Sequence, residues 1–278
     1  MPIALMTHFS LARISSVSLL LLGASIAPIA HAQTWMEGLS PISPGPFPEP
    51  RPVRVKYAFG WGGVNAATAE LVFSRNGDHL QLEGTGQTVG LARTLWKFDV
   101  HQISTSDAHT LRPLRVKEIE NARAKQFDTE LAFTPERVSS HRIEQRNGST
   151  KTKSRTFDFP NVQSLSSALL YLRSKPLNEG EAERIVVYPS TNPYLCTVTV
   201  LGHEHVTVPT GAYDAIKLDV KLSKVGKDRE LIPHKKFKRA TVWLSNDPER
   251  LILRIEAQVF LGTVSAELQS VQFENAKP

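Results

Sequence analysis

The sequence contains very little cysteine: Cys196 is the only one among 278 residues. One thiol excludes an internal disulfide framework and a structural zinc site with four cysteine ligands. No cysteine lies directly after the apolar N-terminal stretch, so lipid attachment of the usual bacterial type is not expected. Because Cys196 lies within the apolar run 195–201, we expect it to be a small buried core residue, the alternative being an intermolecular disulfide.

Recognisable catalytic motifs are missing as well. The sequence has no Gly-x-Ser-x-Gly elbow, no His-Glu-x-x-His zinc helix, no phosphate-binding loop and no Cys-x-x-Cys pair. Gly84, Gly86 and Gly90 lie among predicted strands with no helix expected after them. We therefore interpret them as kinks or close strand approaches rather than as a dinucleotide-binding fingerprint. The sequence predicts no catalytic residue and no cofactor.

Long apolar runs occur only near the N-terminus. Arg13, the apolar stretch 14–26 and the small residues Ala30 and Ala32 are typical of a secretory signal peptide, residues 1–32, cleaved after Ala32. The alternative is an uncleaved membrane anchor, but the stretch is shorter than the roughly 20 residues that a span needs. We expect a periplasmic or secreted protein with no transmembrane segment once the signal is removed.

The excess of basic over acidic residues is small. The chain has 33 Lys+Arg and 27 Asp+Glu; without Arg13 the 32 remaining basic residues exceed the 27 acidic ones by 5. Such a bias is compatible with attraction to an anionic envelope surface, and export argues against a nucleic-acid partner.

A proline-rich segment, residues 33–52, separates the predicted signal from the rest of the chain. Its six prolines are Pro41, Pro44, Pro46, Pro48, Pro50 and Pro52. This spacing favours an extended, polyproline-like tether. The remainder, residues 53–275, is predicted to form a single β-rich domain.

Hydrophobicity alternates with a period of two along most of this domain. The runs 216–222 and 251–259 are the clearest, as a strand with one buried face requires. Asn76-Gly77 and Asn147-Gly148 tolerate positive φ, so each pair is expected to close a hairpin. The predicted fold class is mainly β: a large curved antiparallel sheet or a partly open β-barrel, with one short mid-chain helix.

That helix is predicted over residues 164–174. Its apolar residues at i, i+3, i+4 and i+7 are Leu165, Ala168, Leu169 and Leu172. Ser164 is a suitable N-cap, Arg173 suits the negative helix end, and Pro176 stops the helix. We expect the helix to pack on the concave side of the sheet or to close one end of a barrel. Contact of its apolar stripe with a membrane or lipid is the alternative.

Several motifs occur in an order that resembles a known bacterial family. They are Trp-Gly-Gly-Val-Asn-Ala-Ala from Trp61, Leu-Arg-Pro-Leu from Leu111, the Ser-Ala-Leu-Leu-Tyr-Leu-Arg helix, Pro-Thr-Gly-Ala-Tyr-Asp-Ala from Pro209 and Val-Trp-Leu-Ser-Asn-Asp from Val242. Together they resemble an exported family known as domain of unknown function 3108, over about residues 53–273. The resemblance implies no settled activity, cofactor or catalytic residue. More loosely, the predicted architecture is similar to periplasmic carriers of lipoproteins and other amphiphiles, an analogy of fold alone.

His203 and His205 are weak candidates for metal ligands. On a strand they would point to the same face and could chelate a metal with a third ligand, whereas Glu204 would point the opposite way. Because Gly202 precedes them, a solvent-facing hairpin bend is the simpler interpretation, and no metal site is predicted. Asp214 could act as a general acid or base, but an Asx-type turn explains it without a catalytic partner.

One basic concentration surrounds the polar loop 226–233. Its cationic side chains are Lys224, Lys227, Arg229, Lys235, Lys236, Lys238 and Arg239. They are candidates for a binding surface toward anionic headgroups or acidic glycans. The alternative is a solvated loop whose lysines discourage edge-to-edge strand pairing.

The leading functional hypothesis is a non-enzymatic, exported protein that binds or carries an envelope lipid, lipoprotein or glycan in its concavity. One alternative is a hydrolase of envelope glycans or esters, with carboxylates that only the fold brings together. Two carboxylates roughly 5 to 10 Å apart in a cleft would favour it. A second alternative is a structural subunit of an envelope complex.

Overall fold

The computed structural model describes residues 34–234, 237–259 and 262–274. The predicted signal peptide, with its cleavage site after Ala32, lies outside the described residues. So do Lys235, Lys236 and the side chain of Lys238, three of the candidate binding residues.

Strands make up most of the described chain. The strands of the N-terminal half are β1 Val53–Trp61, β2 Val64–Asn76, β3 His79–Thr88, β4 Phe98–Asp107, β5 Pro113–Ala122, β6 Lys125–Phe133, β7 Arg137–Arg146 and β8 Ser149–Asp158. Those of the C-terminal half are β9 Ala182–Val187, β10 Tyr194–Val208, β11 Gly211–Val225, β12 Leu231–Pro233, β13 Phe237–Ser245, β14 Ile252–Val259 and β15 Gly262–Phe273. The helices are α1 Thr34–Glu37, α2 Gly90–Leu95 and α3 Leu165–Ser174.

All fifteen strands belong to one antiparallel sheet. Strand β1 lies in its middle, between β2 and β15, with Val53 opposite Phe273. From there, β2 to β8 follow one another outward on one side, and β15 to β9 on the other, with β12 paired to β11. The predicted mainly β fold with a large antiparallel sheet is confirmed.

The turns behave as their residues predict. Gly77, in the β2–β3 turn, has a φ of 58°, and Asn147 and Gly148, in the β7–β8 turn, have φ values of 47° and 77°. These left-handed conformations cost little for glycine and asparagine, so each pair closes its hairpin tightly.

The sheet is not closed into a barrel, because its edge strands β8 and β9 do not pair with each other. Residues 159–163 come between them: the Gln163 N–H donates to the Val186 carbonyl and the Tyr188 N–H to the Gln163 carbonyl, each at 2.8 Å. Side chains reach across the same gap, since Ser140 Oγ donates to the Ser190 carbonyl at 3.1 Å. The two edges are therefore held together without a continuous ladder.

The inward face of the sheet has two chemically different parts. One part, the apolar interior, comes mainly from β1, β2, β11, β14 and β15 and is aliphatic and aromatic, with Leu253, Ala257 and Leu268 fully buried. The other part, the polar interior, lies on β4 to β7. Its buried side chains are Gln102, Ser104, Ser106, Glu118, Glu120, Thr129 and Ser140.

The predicted mid-chain helix is confirmed, and two short helices were not expected. Helix α2 begins at Gly90, whose φ of 53° lets the chain turn out of β3, so this glycine starts a helix rather than kinking a strand. Helix α1 precedes the sheet. Among the described residues, no helix is long and apolar enough to cross a lipid bilayer.

Candidate functional site

A cavity lies between helix α3 and the apolar interior. Its walls are mostly hydrocarbon. The sheet side contributes Val53, Val55, Tyr57, Leu71, Phe73, Leu82, Ile252 and, just before β14, Leu251, and the helix contributes Leu169 and Leu170. The cavity has a volume of about 60 Å³. Its polar groups are few, namely Ser166, Arg173 and Arg250, together with the Tyr57 hydroxyl. That composition suits an apolar ligand with one polar end.

Helix α3 is held over the cavity by its N-terminus. The Ser164 hydroxyl accepts from the Ser167 N–H at 3.1 Å, and the Ser167 hydroxyl accepts from the Ser164 N–H at 2.9 Å, a reciprocal capping box. The Ser166 hydroxyl also hydrogen-bonds Ser104 of β4. These contacts fix the first turn on the sheet, so that Leu169 and Leu170 face β1 and β2.

The Tyr57 hydroxyl is fully used by the protein. It donates to the Ile252 carbonyl at 2.9 Å, and burial raises the pKa of Tyr57 well above its usual range. The phenol therefore stays neutral and joins β1 to the start of β14. It offers the cavity an aromatic surface rather than an acid or base.

Two guanidinium groups border the cavity without an ionic partner. Arg250 is 3% exposed, and its Nε and Nη1 atoms have no hydrogen-bond partner in the protein; the same holds for Arg173 Nε. No carboxylate of the described residues comes within 4.0 Å of either group, although Asp247 and Glu249 are near. Burial lowers the pKa of Arg173 to about 10 and also lowers the pKa of Arg250. Both remain cationic at neutral pH, so the site holds positive charge that the protein does not neutralise at contact distance.

The proline-rich segment runs along the outer side of this site. Residues 38–52, the proline strap, are extended and docked: the Gly45 N–H donates to Ser174 Oγ at 2.9 Å and the Phe47 N–H to the Ser174 carbonyl at 3.1 Å. The Phe47 ring lies 3.9 Å from Arg250 Cζ, a cation–π contact. The strap thus contacts both the C-terminal end of α3 and one of the two cavity arginines. The domain boundary at residue 53 stays a prediction.

The structure places His203 and His205 within β10, not at a hairpin bend. Gly202, with a φ of 132°, marks a β-bulge there, and His205 Nδ1 lies 2.5 Å from Asp214 of β11. Asp214 is therefore a strand residue opposite His205, and the expected Asx-type turn is not formed there. Among residues 34–234, 237–259 and 262–274, no three metal-ligating side chains are grouped to hold an ion.

Among the basic residues around loop 226–233 whose side chains the structure describes, the two arginines make separate contacts. Lys227 is exposed, while Arg239 of β13 pairs with Asp219 of β11. The Arg229 guanidinium lies 5.2 Å from the Phe159 ring and donates to the Asp158 carbonyl at 3.3 Å, next to the opposite edge of the sheet. Arg229 and Arg239 thus make structural contacts, and a binding role for this set stays a prediction.

Two carboxylates on β5 are close enough to be compared with the carboxylate pair that a hydrolase would need. Glu118 and Glu120 are two residues apart on the inward face, which sets their Cα atoms roughly 7 Å apart. They are only 2% and 1% exposed; Glu118 accepts from Gln102 at 2.6 Å and Glu120 from Arg142 at 2.7 Å. Both carboxylates are buried against protein partners, so this pair lacks the open cleft that glycoside hydrolysis needs.

Sequence patterns did not single out the cavity arginines. Arg173 reads as an ordinary cation at a helix C-terminus, yet it lies four residues after Leu169 and so on the same side of α3. The spacing of four residues therefore indicates that Arg173 lies on the face of α3 that carries Leu169. Arg250 follows a turn and has a φ of 44°, and no local pattern indicates that its side chain is buried.

The comparisons with known proteins concern family and fold. The family model described as "Protein of unknown function (DUF3108)" matches residues 54–269. No curated protein matches the sequence. A β-barrel-like protein of domain of unknown function DUF1849 from Brucella abortus has a TM-score of 0.57 at 10% identity, over 82% of this chain and 99% of that chain.

Two further solved structures are similar over the same share of the chain but superpose poorly. A protein from Bacteroides fragilis, described as exported with a YmcC-like fold, has a TM-score of 0.32 at 10% identity, over 82% of this chain and 99% of that one. A protein from Parabacteroides distasonis, described as a lipoprotein, has a TM-score of 0.33 at 9% identity, over 83% of this chain and 99% of that one. The similarity to the Brucella protein therefore concerns the fold.

Proposed function

We propose that this chain, which belongs to the family of proteins of unknown function DUF3108, binds an amphiphile with an anionic headgroup in the cavity beneath α3. The hydrocarbon part would lie against β1 and β2. The headgroup, a carboxylate or a phosphate, would face Arg173 and Arg250. Binding rather than catalysis is proposed, and the setting is the cell envelope, as the N-terminal residues 1–32 suggest.

The observation that carries the proposal is the pair of arginines beside hydrocarbon walls. Arg250 donates from Nη2 to the Pro176 carbonyl at 3.2 Å, but its Nε and Nη1 and the Nε of Arg173 are buried without a hydrogen-bond partner. For these nitrogens the protein does not replace the hydrogen bonds lost with water. An anionic headgroup would supply those hydrogen bonds, each contributing roughly 1.5–3 kcal/mol when one partner is charged. A neutral ligand would leave the guanidinium groups uncompensated, so the site should distinguish headgroups by charge.

The cavity is small in this structure. A cavity of about 60 Å³ holds a few water molecules and no long acyl chain. Entry of a chain therefore requires α3 or the proline strap to move. At the site the strap is held by the Gly45 and Phe47 contacts with Ser174 and by the Phe47 ring on Arg250. Elsewhere it is held by hydrogen bonds between Ser40 and Arg184 and by the ion pair of Arg51 with Glu249. Its displacement would free Arg250 for the headgroup.

A displacement titration tests the proposal. The fluorescent fatty acid cis-parinaric acid is bound to the purified protein at pH 8 and displaced with dodecanoate or with dodecanol, which share a chain and differ in charge. We expect dodecanoate to compete at least tenfold better, because tenfold corresponds to about 1.4 kcal/mol, less than one charge-assisted hydrogen bond.

Substitution of both arginines provides the second arm. The double variant Arg173→Met and Arg250→Met should lose the preference for dodecanoate and keep weak binding of dodecanol. Arg115→Met is the matched control, because Arg115 pairs with Glu130 on the exposed face, with half of its side chain in solvent. Failure of both ligands to displace the probe, or equal competition by the two in the wild-type protein, would refute the proposal.

A further inference from the structure

An apolar tip protrudes from the sheet on the side of the β1–β2 turn. We define it by Trp61 and Val64, which flank this turn, and by Leu91 and Leu95 of α2. Leu91 and Leu95 are each 68% exposed, Val64 is 57% exposed and Trp61 37% exposed. These four account for nearly half of the large exposed apolar side chains of the described residues.

The two parts of the tip are adjacent because of the strand register. Ala67 of β2 pairs with Thr88 of β3, and the Val89 N–H donates to the Ala66 carbonyl at 2.9 Å. Helix α2 starts one residue later and contacts β2. Leu91 and Leu95 are four residues apart, so both project from the same side of the helix.

The two chain segments that carry the tip contain cationic side chains and no acidic one. Residues 60–69 contain no charged side chain, and residues 84–98 contain only Arg93 and Lys97. Arg93 is paired with Asp99 at 2.7 Å, whereas Lys97 and Arg123 are exposed. Arg123 donates to the Leu95 carbonyl at 3.1 Å and its Cζ lies 4.2 Å from the Trp96 ring, which holds a positive charge beside the apolar group.

We infer that this tip inserts into the surface of an anionic lipid bilayer. Leucine and tryptophan side chains projecting from a convex site partition into the headgroup region, and flanking lysine and arginine add attraction to anionic lipid. A second protein is a poorer fit. Helix α2 is only about 9 Å long, so the tip offers much less than the roughly 800 Å² per partner that a stable protein interface buries.

The inference is independent of the cavity and requires no ligand there. If both hold, the protein touches a membrane by one part and binds an amphiphile at another. Cavity lining from β1 lies at the start of the strand, while Trp61 lies at its end, roughly four residues beyond Tyr57. The two sites can therefore be changed separately.

Tryptophan quenching by brominated lipid tests insertion. Vesicles of 70% phosphatidylcholine, brominated at acyl positions 6 and 7, and 30% phosphatidylglycerol are mixed with the full chain. Trp61 and Trp96 are the tryptophans near the tip, whereas Trp35 and Trp243 are each 6% exposed and inaccessible to lipid. We expect quenching that Trp61→Phe reduces by at least half and that 0.5 M salt weakens several-fold.

Substitution of the leucines shows whether α2 is responsible. Leu91→Ser with Leu95→Ser should lower vesicle affinity at least tenfold without changing thermal stability, because neither side chain is buried. Leu201→Ser, at an exposed leucine of β10, is the matched control and should have no effect. All variants share the same N-terminal residues, so differences among them report the tip.

Three outcomes would overturn the inference. They are unquenched tryptophan fluorescence in the wild-type protein, equal affinity of the double leucine variant and the wild type, and binding that does not respond to phosphatidylglycerol or salt. Conversion of a wild-type dimer to a monomer by the double leucine variant would likewise assign the tip to a second copy of the chain instead of a bilayer.

Discussion

The inward face of β14 and β15 is built from aliphatic side chains, whereas the inward face of β4 to β7 carries two carboxylates, a guanidinium, a glutamine and several hydroxyls. Both belong to one hydrogen-bonded sheet and both are shielded from water. In the apolar interior, burial itself is favourable, by roughly 25 cal/mol per Å². In the polar interior each buried group must find a partner, because an unsatisfied one costs about 1–3 kcal/mol.

The two interiors are stabilised by different interactions. Apolar side chains can repack, so the apolar interior tolerates a cavity next to α3. The polar interior depends on specific pairs and is correspondingly intolerant of change. Its central residue is Arg142, which donates to Glu120 at 2.7 Å, to Thr129 at 3.2 Å and to Ser190 at 3.0 Å. Ser190 precedes β10, so this one guanidinium also links the two sides of the gap between β8 and β9.

The largest effect is expected from Arg142→Met. The substitution removes the guanidinium from beside a carboxylate that is 1% exposed and breaks the link to Ser190. Loss of one partner of a buried ion pair costs about 3–5 kcal/mol. Urea unfolding followed by circular dichroism should show this as a lower midpoint.

Arg115→Met is the matched control for Arg142→Met. Arg115 pairs with Glu130 on the opposite face of strands β5 and β6, where both side chains are nearly half exposed. An exposed pair contributes at most about 1 kcal/mol. Equal losses in the two variants would mean that the polar interior is not distinguished from the surface.

This contrast also explains how far the sequence predicts the structure. Alternation in 216–222 and 251–259 correctly predicts Ile216, Leu218 and Leu253 as buried, because an aliphatic side chain is favoured inside by its own hydrophobicity. In β5 the same rule is wrong: Ile119 is 39% exposed, and its neighbours Glu118 and Glu120 are buried. Their burial depends on Gln102 and Arg142, which lie on other strands and leave no local pattern.

The candidate site was predictable in part. The helix over residues 164–174 and its apolar stripe are evident from spacing and capping residues. The cavity is not, because it depends on which strands lie opposite Leu169 and Leu170. Arg250 becomes part of the site only through tertiary packing, and so does the proline strap, whose polyproline spacing says nothing about docking against Ser174.

A smaller and local effect is expected from Gly45→Ala in the proline strap. A Cβ at Gly45 would lie 2.1 Å from the Ser174 carbonyl oxygen, so the strap must shift. Such overpacking costs about 1–3 kcal/mol. We expect it to be confined to the strap, because none of residues 38–52 belongs to a strand of the sheet. Hydrogen exchange should show faster exchange of the Gly45 and Phe47 amides with an unchanged unfolding midpoint.

Gly38→Ala is the control for the strap, because a Cβ there meets chiefly the end of the flexible Arg184 side chain. If the strap covers the cavity, Gly45→Ala also raises the affinity for dodecanoate, since less binding energy is needed to displace the strap. If Gly45→Ala instead lowers the unfolding midpoint of the whole sheet, the proline strap does not respond independently of the apolar interior, and this prediction is wrong.

The last experiment changes no residue and uses the native thiol of Cys196 to report on the apolar interior. Cys196 lies on β10 and is buried, as the sequence analysis expected, and burial raises its pKa to about 12. At pH 8 only about one thiol in ten thousand would be ionised. We therefore expect Ellman's reagent to label the folded protein at least a thousandfold more slowly than the unfolded chain.

Labelling of Cys196 in the Arg142→Met background tests whether the two interiors unfold together. If the sheet opens as one unit, a loss of 3–5 kcal/mol in the polar interior raises the labelling rate by about two to four orders of magnitude, because both report the same equilibrium. If the halves open separately, the rate stays close to that of the wild type although the polar interior is weakened. We expect the first result, because Arg142 and the link through Ser190 connect β7 to the loop that leads directly into β10.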